Sequence, residues 1–329
     1  MQPLRTLAVR DDRSCGERNA SVPGVGRVTT GPRDLAASIR QLLLNHARAE
    51  KIDFNYVLRR YANERFLYRL SRSGWQEQLI LKGANVFLVW SRHGFRQSRD
   101  IDLLGRGLSV EDVERCIREV IAVDVEPDGL ALLPDTIRLE EIREETEYGG
   151  TRVRFDATLA GARIPIQIDV AFGDPVFPAP ELEPFPTILA DSPAPTVLTY
   201  PRETVVAEKY EAIVRLGEAN TRLKDFFDLW VLQGQFEFTG SLAEAIAQTF
   251  SIRGTAIPDE MPFALPETFV SGIGAERWGA FLNRTDLEAA PFPEVMNLLT
   301  RFIGVPADAA RHRAPLAARW RPQTGWAQE

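Results

Sequence analysis

The chain has 329 residues, 44% of them hydrophobic, enough for a sizeable core and for two domains. A formal net charge of −7 excludes a global basic field that draws the protein to nucleic acid, so any RNA contact must be local. Two cysteines in unrelated contexts and three histidines argue against a zinc site or a Ser–His–Asp triad. No apolar run approaches the 18 or so residues of a membrane span, and the N-terminus lacks a signal-like apolar region. The expectation is a soluble cytoplasmic protein with no membrane partner.

Residues 1–32 mix Gly, Pro, Arg and Thr without period and read as a mobile tail. From Pro32 the pattern is helical, with Leu35, Ile39, Leu42, Leu43 and Ala47 on one stripe. A second helix runs from about Asp53 to Ser73-Gly74. Leu79-Ile80-Leu81 then reads as a strand. It turns at Lys82-Gly83-Ala84-Asn85 into a short apolar helix ending near Trp90, and a basic loop spans Ser91 to Arg99.

The strand Asp100-Ile101-Asp102-Leu103-Leu104 follows. Its alternation sets Asp100 and Asp102 on one face, about 6–7 Å apart, with Ile101 and Leu103 on the other. Two ionised carboxylates at that spacing repel by roughly 2–3 kcal/mol at an effective dielectric near 20. A divalent cation relieves that repulsion, and Mg²⁺ prefers one or two such carboxylates together with phosphate oxygens.

A helix from Ser109 to about Val123 is followed by a change to period two. Thr136–Glu145, Thr151–Leu159 and Arg163–Phe172 read as strands. In the last of them Ile168-Asp169-Val170 repeats the local form of Ile101-Asp102-Leu103, which makes Asp169 the third candidate metal carboxylate. Asp156 is a rival, but Arg152 and Arg154 on its face explain it as a paired surface charge.

A proline-rich linker, residues 174–195, leads to a helical part. Pro201 and Gly217 bracket a helix in which Lys209 interrupts the inward stripe of Val205 and Ile213. A lysine there needs an anion or must lose its charge. Leu223 to Val231 form another helix, with Asp225 and Asp228 on its flank. Further helices are expected at Ser241–Phe250 and Phe292–Ile303. The Arg- and Trp-rich end is expected to pack back on the protein.

These pieces resemble the nucleotidyltransferases of the DNA polymerase β superfamily. More narrowly, Lys82-Gly83, Ser98-Arg99-Asp100-Ile101-Asp102-Leu103, Glu208-Lys209 and Arg222-Leu223-Lys224-Asp225-Phe226-Phe227-Asp228-Leu229 are similar to the AbiEii/MenT toxins of type IV toxin–antitoxin and phage-defence systems. The resemblance covers about residues 35–235. It implies an α+β fold: a polymerase β-like nucleotidyltransferase core with a mixed sheet at 33–195, then a helical C-terminal domain at 196–329. It also implies Mg²⁺ on Asp100, Asp102 and Asp169, and an NTP whose phosphates meet Lys82, Gly83, Ser98 and Lys209. Asp225 orients Lys209 or the nucleotide. The implied reaction moves a nucleoside monophosphate to RNA, in particular the 3′ end of tRNA, as a growth-inhibiting toxin with a cognate antitoxin. Two alternatives stand beside it: transfer to a protein or small-molecule hydroxyl, and a catalytically idle relative that only binds nucleotide. One departure is Gly83-Ala84, where the superfamily usually has Gly-Gly or Gly-Ser.

Overall fold

A computed structural model describes residues 34–91, 96–142, 149–259 and 263–328. The expected N-terminal tail, residues 1–32, lies outside them. Helices α1 (Leu35–Glu50) and α2 (Phe54–Ser71) come first. Asp53 caps α2 by accepting a hydrogen bond from the Tyr56 amide at 2.9 Å, which satisfies one orphan donor of the first turn. In α1 the buried residues are Ile39, Leu43 and Ala47, whereas Leu35 and Leu42 are exposed. Those two leucines lie seven residues apart, nearly two full turns, so they leave the core together.

The strands and helices of the central region follow: β1 (Leu79–Lys82), α3 (Val86–Trp90), β2 (Ile101–Gly105) and α4 (Asp112–Ile121). Then come β3 (Leu130–Ile142), β4 (Gly150–Leu159), β5 (Ala162–Phe172), β6 (Glu181–Pro184) and β7 (Thr196–Thr199). They build one mixed sheet in the order β3-β4-β5-β2-β1-β7-β6. β5 runs antiparallel to β4 but parallel to β2, and β1 is antiparallel to β2 and parallel to β7. β3 begins earlier than the expected Thr136, across a register shift between Leu133 and Arg138. β7 carries the sheet past residue 195, where the helical part was expected to start.

Alternation decides which face does chemistry. Ile101 and Leu103 of β2 are buried together with Ile164, Ile166, Ile168 and Val170 of β5. This face packs toward α2, where the Phe66 ring lies 6.0 Å from Phe155 of β4. Each such aliphatic side chain contributes about 1.5–3 kcal/mol on full burial. The intervening Asp102, Gln167 and Asp169 are thereby forced onto the opposite face.

The remaining elements are α5 (Arg202–Leu216), α6 (Leu223–Gln235), α7 (Ser241–Ile252), α8 (Glu267–Ser271), α9 (Ile273–Thr285) and α10 (Phe292–His312). A hairpin of β8 (Ala318–Arg321) and β9 (Gly325–Gln328) ends the chain. It packs through its tryptophans: Trp320 donates from Nε1 to the Gln233 carbonyl at 2.7 Å, and Trp326 to the Phe302 carbonyl at 2.8 Å. Among the described residues no helix is long and apolar enough to cross a membrane.

Candidate active site

The parallel register of β2 with β5 sets Asp102 directly opposite Asp169. Neither carboxylate could find the other from local sequence; the strand pairing does it. Asp102 is pushed up to about 6, first by burial and then by the negative charge of Asp169. Asp100, at the entry to β2, is raised from the ordinary carboxylate value for the same two reasons in the same order. Burial, and after it the charge of Asp169, thus discourage ionisation of Asp100 and Asp102.

Gly83 closes the floor beneath them. Its φ of +68° is the left-handed region, and a Cβ there would collide with the Asp102 carboxylate. A glycine is thus required twice, for conformation and for room. Ala84 and Asn85 are buried just behind it, and the Asn85 side-chain amide donates to the Asp100 carbonyl at 2.6 Å, fixing the start of β2.

A cavity of about 220 Å³ opens over this floor, lined by Gly83, Asp102 and Asp169 on the strand side and by cations from α5 and α6 on the other. Lys209 finds its anions within the protein: Asp225 at 2.8 Å and Asp228 at 2.7 Å. Burial works against its charge, but the two carboxylates outweigh it, and its pKa is raised. For Asp225 burial pushes up, yet Lys209 and Arg222 together hold the carboxyl below its ordinary value. Arg96, from the basic loop, grips Asp228 with two hydrogen bonds of 2.9 and 3.0 Å. Arg92 to Phe95 of that loop lie outside the described residues.

Lys224 is the cation left over. It lines the cavity but forms no ion pair among the described residues. The residue as a whole is exposed, while its ammonium is crowded by protein. Desolvation first, then Lys209 and Arg96, lower its pKa. Periodicity could not single it out, because it lies beside the apolar stripe of α6 rather than within it.

Lys82 and Ser98 are placed differently from the remaining candidates. Lys82 is bound by Asp174 at 2.8 Å and Glu208 at 3.0 Å, with the Tyr200 ring beneath it. Arg253, at the end of α7, shares both acids and adds Glu211 at 2.9 Å. Lys82 thus borders the cavity while fastening β1 to α5 and α7. Ser98 donates to the Asp100 carbonyl at 3.3 Å and does not line the cavity.

The expectation for Asp156 needs correction. Arg163 bonds Asp156 at 2.6 Å, and Arg154 turns to Glu140 at 2.5 Å. Arg152, directly across from Asp169 in the β4–β5 ladder, takes Asp169 with two hydrogen bonds of 2.9 and 2.7 Å. Asp169 therefore does not stand among neutral groups. Among the described residues no three acidic, His or Cys side chains are gathered at one point to hold a metal ion. In kind the donors still suit a hard divalent cation: Asp102 and Asp169 are oxygen donors of like charge, and burial, then that charge, raise the proton affinity of Asp102.

A sequence model of the family described as nucleotidyl transferase AbiEii toxin, type IV toxin–antitoxin system, matches residues 65–301. The chain belongs to this family. It is accordingly a nucleotidyltransferase, and the mixed sheet with its helical C-terminal part is the scaffold of that activity. Among solved structures it is similar to a candidate nucleotidyltransferase from H. pylori, at 15% identity over 82% of this chain and 95% of that one, with a TM-score of 0.41. It is similar also to JHP933 from Helicobacter pylori, at 14% identity over 82% of this chain and 92% of that one, with a TM-score of 0.39. No curated protein matches the chain.

Proposed function

We propose that this AbiEii-family chain transfers a nucleoside monophosphate from an NTP to the 3′ end of tRNA in the cytoplasm, with Mg²⁺, as a toxin restrained by a cognate antitoxin. The observation that carries the reading is the rung formed by Asp102 and Asp169 on the floor of a cation-lined cavity. Asp100, Asp102 and Asp169 would hold the divalent ion. When bound, such an ion neutralises phosphate charge and lowers the proton affinity of an attacking hydroxyl.

The chain's own residues do the rest. Gly83, with no side chain, lets the Asp102 carboxylate sit against the turn at the cavity floor, where any Cβ would collide with it. Lys224, without an acid of its own, supplies a positive charge to the triphosphate. Lys209, pinned by Asp225 and Asp228, presents its charge from a fixed point. Lys82 keeps its proposed nearness to the phosphates as part of the cavity wall, and Ser98, off that wall, takes part by shaping the entry to β2. The acceptor oxygen forms a bond to the α-phosphorus, the bond from that phosphorus to the β-bridging oxygen breaks, and pyrophosphate departs with the electron pair. The division into a core and a helical part, expected at 33–195 and 196–329, remains our proposal for how the chain is organised, with the boundary moved past β7, which belongs to the sheet.

The test incubates purified protein with Mg²⁺, total tRNA and each NTP labelled at its α-phosphate, with Asp102→Ala as control. The expected result is label on tRNA 3′ ends that disappears in the variant. Label on a protein or small molecule instead would overturn the acceptor, and no label on any acceptor would overturn the activity of this chain.

A further inference from the structure

The sheet face that carries Asp102 and Asp169 does not end at them. One rung back along β5 the floor is Gln167, opposite Arg154 of β4, and Arg154 in turn faces Arg138 of β3. Here, past the start of β2, a second concavity of about 560 Å³ opens that Phe155 and Ile166 of the apolar face also line, bordered by Asp100, with Arg59 reaching in from α2 and Arg163 from the start of β5. The two concavities therefore lie in tandem along β5, Asp100 bordering the second and Asp102, two residues on, the first.

We infer that this arginine-lined concavity receives the phosphodiester backbone of the acceptor strand, the nucleotides just before the reacting 3′ hydroxyl. This rests on the proposed transfer to RNA and deepens it by assigning the acceptor its place. In-line displacement at phosphorus brings the attacking oxygen in opposite the leaving pyrophosphate. With the triphosphate among Gly83, Lys209 and Lys224, the acceptor has to arrive from the other side of the carboxylates, where the second concavity opens.

The side chains there suit a polyanion. Arg59 and Arg138 form no ion pair among the described residues, and the Arg59 Nε is buried without a hydrogen-bond acceptor. Two acids also border the concavity besides Asp100: Asp156, already matched by Arg163, and Asp135. Guanidinium groups offer planar, forked donors that fit phosphate oxygens in pairs. A neutral acceptor leaves such a surplus unused. In a chain of net charge −7, a hollow with four arginines, Arg59 and Arg138 among them outside any ion pair among the described residues, is a local exception, the form an RNA contact must take here.

The test measures binding of a fluorescent single-stranded RNA ending in CCA to the full chain by anisotropy across a salt series. It compares the wild type, Arg138→Gln, and the Arg59→Gln/Arg138→Gln pair. The double variant is expected to lose about tenfold or more in RNA affinity, with the salt slope reduced by about 0.7 for each contact removed. KM for the NTP should stay unchanged while KM for RNA rises, and Arg138→Lys should recover part of the loss. Arg138 is exposed, so the single variant reads the effect even where Arg59→Gln disturbs folding. Wild-type affinity and slope in Arg138→Gln, alongside intact transfer to RNA, would overturn this inference and leave the proposed function standing. A wild type that neither binds nor labels RNA would overturn both.

Discussion

The two walls of the cavity hold buried acids under opposite conditions. On the strand wall Asp102 is pushed up to about 6 by burial and by Asp169, and no lysine or arginine pairs with it among the described residues. On the helix wall Asp225 is held below its ordinary value because Lys209 and Arg222 outweigh the burial. Both sets are acids facing one 220 Å³ space, so burial alone cannot account for the difference. The helix wall is a completed charge network that holds Lys209 between Asp225 and Asp228. The strand wall is electrostatically incomplete, the arrangement expected of groups that act on something brought from outside.

Removing one member of the helix network tests its completeness. Lys209→Met leaves Asp225 and Asp228 buried with too little positive charge, and should destabilise the protein by about 3–5 kcal/mol in denaturant unfolding. A loss below 1 kcal/mol would show that Arg96 and Arg222 suffice. The matching change on the strand wall should spare the fold and remove the chemistry. Asp102→Asn is expected to cut nucleotide transfer by at least a hundredfold, about 2.7 kcal/mol of barrier, with an unchanged circular dichroism spectrum.

The walls should also differ in pH dependence. In chelator, Asp102 has a folded pKa of about 6 against 3.8 for the ordinary carboxyl. Its protonated form thus favours the folded state. That contribution is complete below about pH 4 and is lost as pH rises through 6, an effect on the order of 2 kcal/mol. Asp225 has the reverse sign: its contribution is present above the ordinary carboxyl value and is lost as pH falls through its lower folded value. Melting curves between pH 4 and 7.5 should therefore show a decline in the wild type that Asp102→Asn lacks. The smallest effect belongs to Arg152, whose pair with Asp169 is partly exposed. Arg152→Gln should change stability by less than about 1 kcal/mol in thermal unfolding.

Much of the strand wall was legible in the sequence because alternation is a local rule. Asp-x-Asp in one strand and hydrophobic–Asp–hydrophobic in another announce their faces without knowledge of their neighbours. Lys209 was legible for a similar reason, since a charge within an apolar stripe demands an anion, and Asp225 was on the next helix to supply it. Arg152 was misread because its partner depends on the β4–β5 register, and Asp156 lay nearer in sequence. The ion pairs of Lys82 were not legible, because its neighbourhood is assembled from Asp174, Glu208 and Arg253, which no spacing brings together. The exposed Leu35 and Leu42 show the same limit in the core: a periodic stripe gives the direction of a helix face but not its width. The C-terminal hairpin was expected only as packing, and the ladder between Trp320 and Trp326 gives that packing its form.

The order of strands has a consequence for when the enzyme can act. β5 is made long after β2, yet it lies beside β2 and supplies Asp169 only once β4 has already turned back. Lys209 and Asp225 come later still, on α5 and α6. A chain emerging from the ribosome therefore lacks the complete proposed site until most of its length has been made and folded. For a member of a toxin family the topology would serve as a timer: synthesis interrupted before α6 yields fragments that lack part of the proposed site.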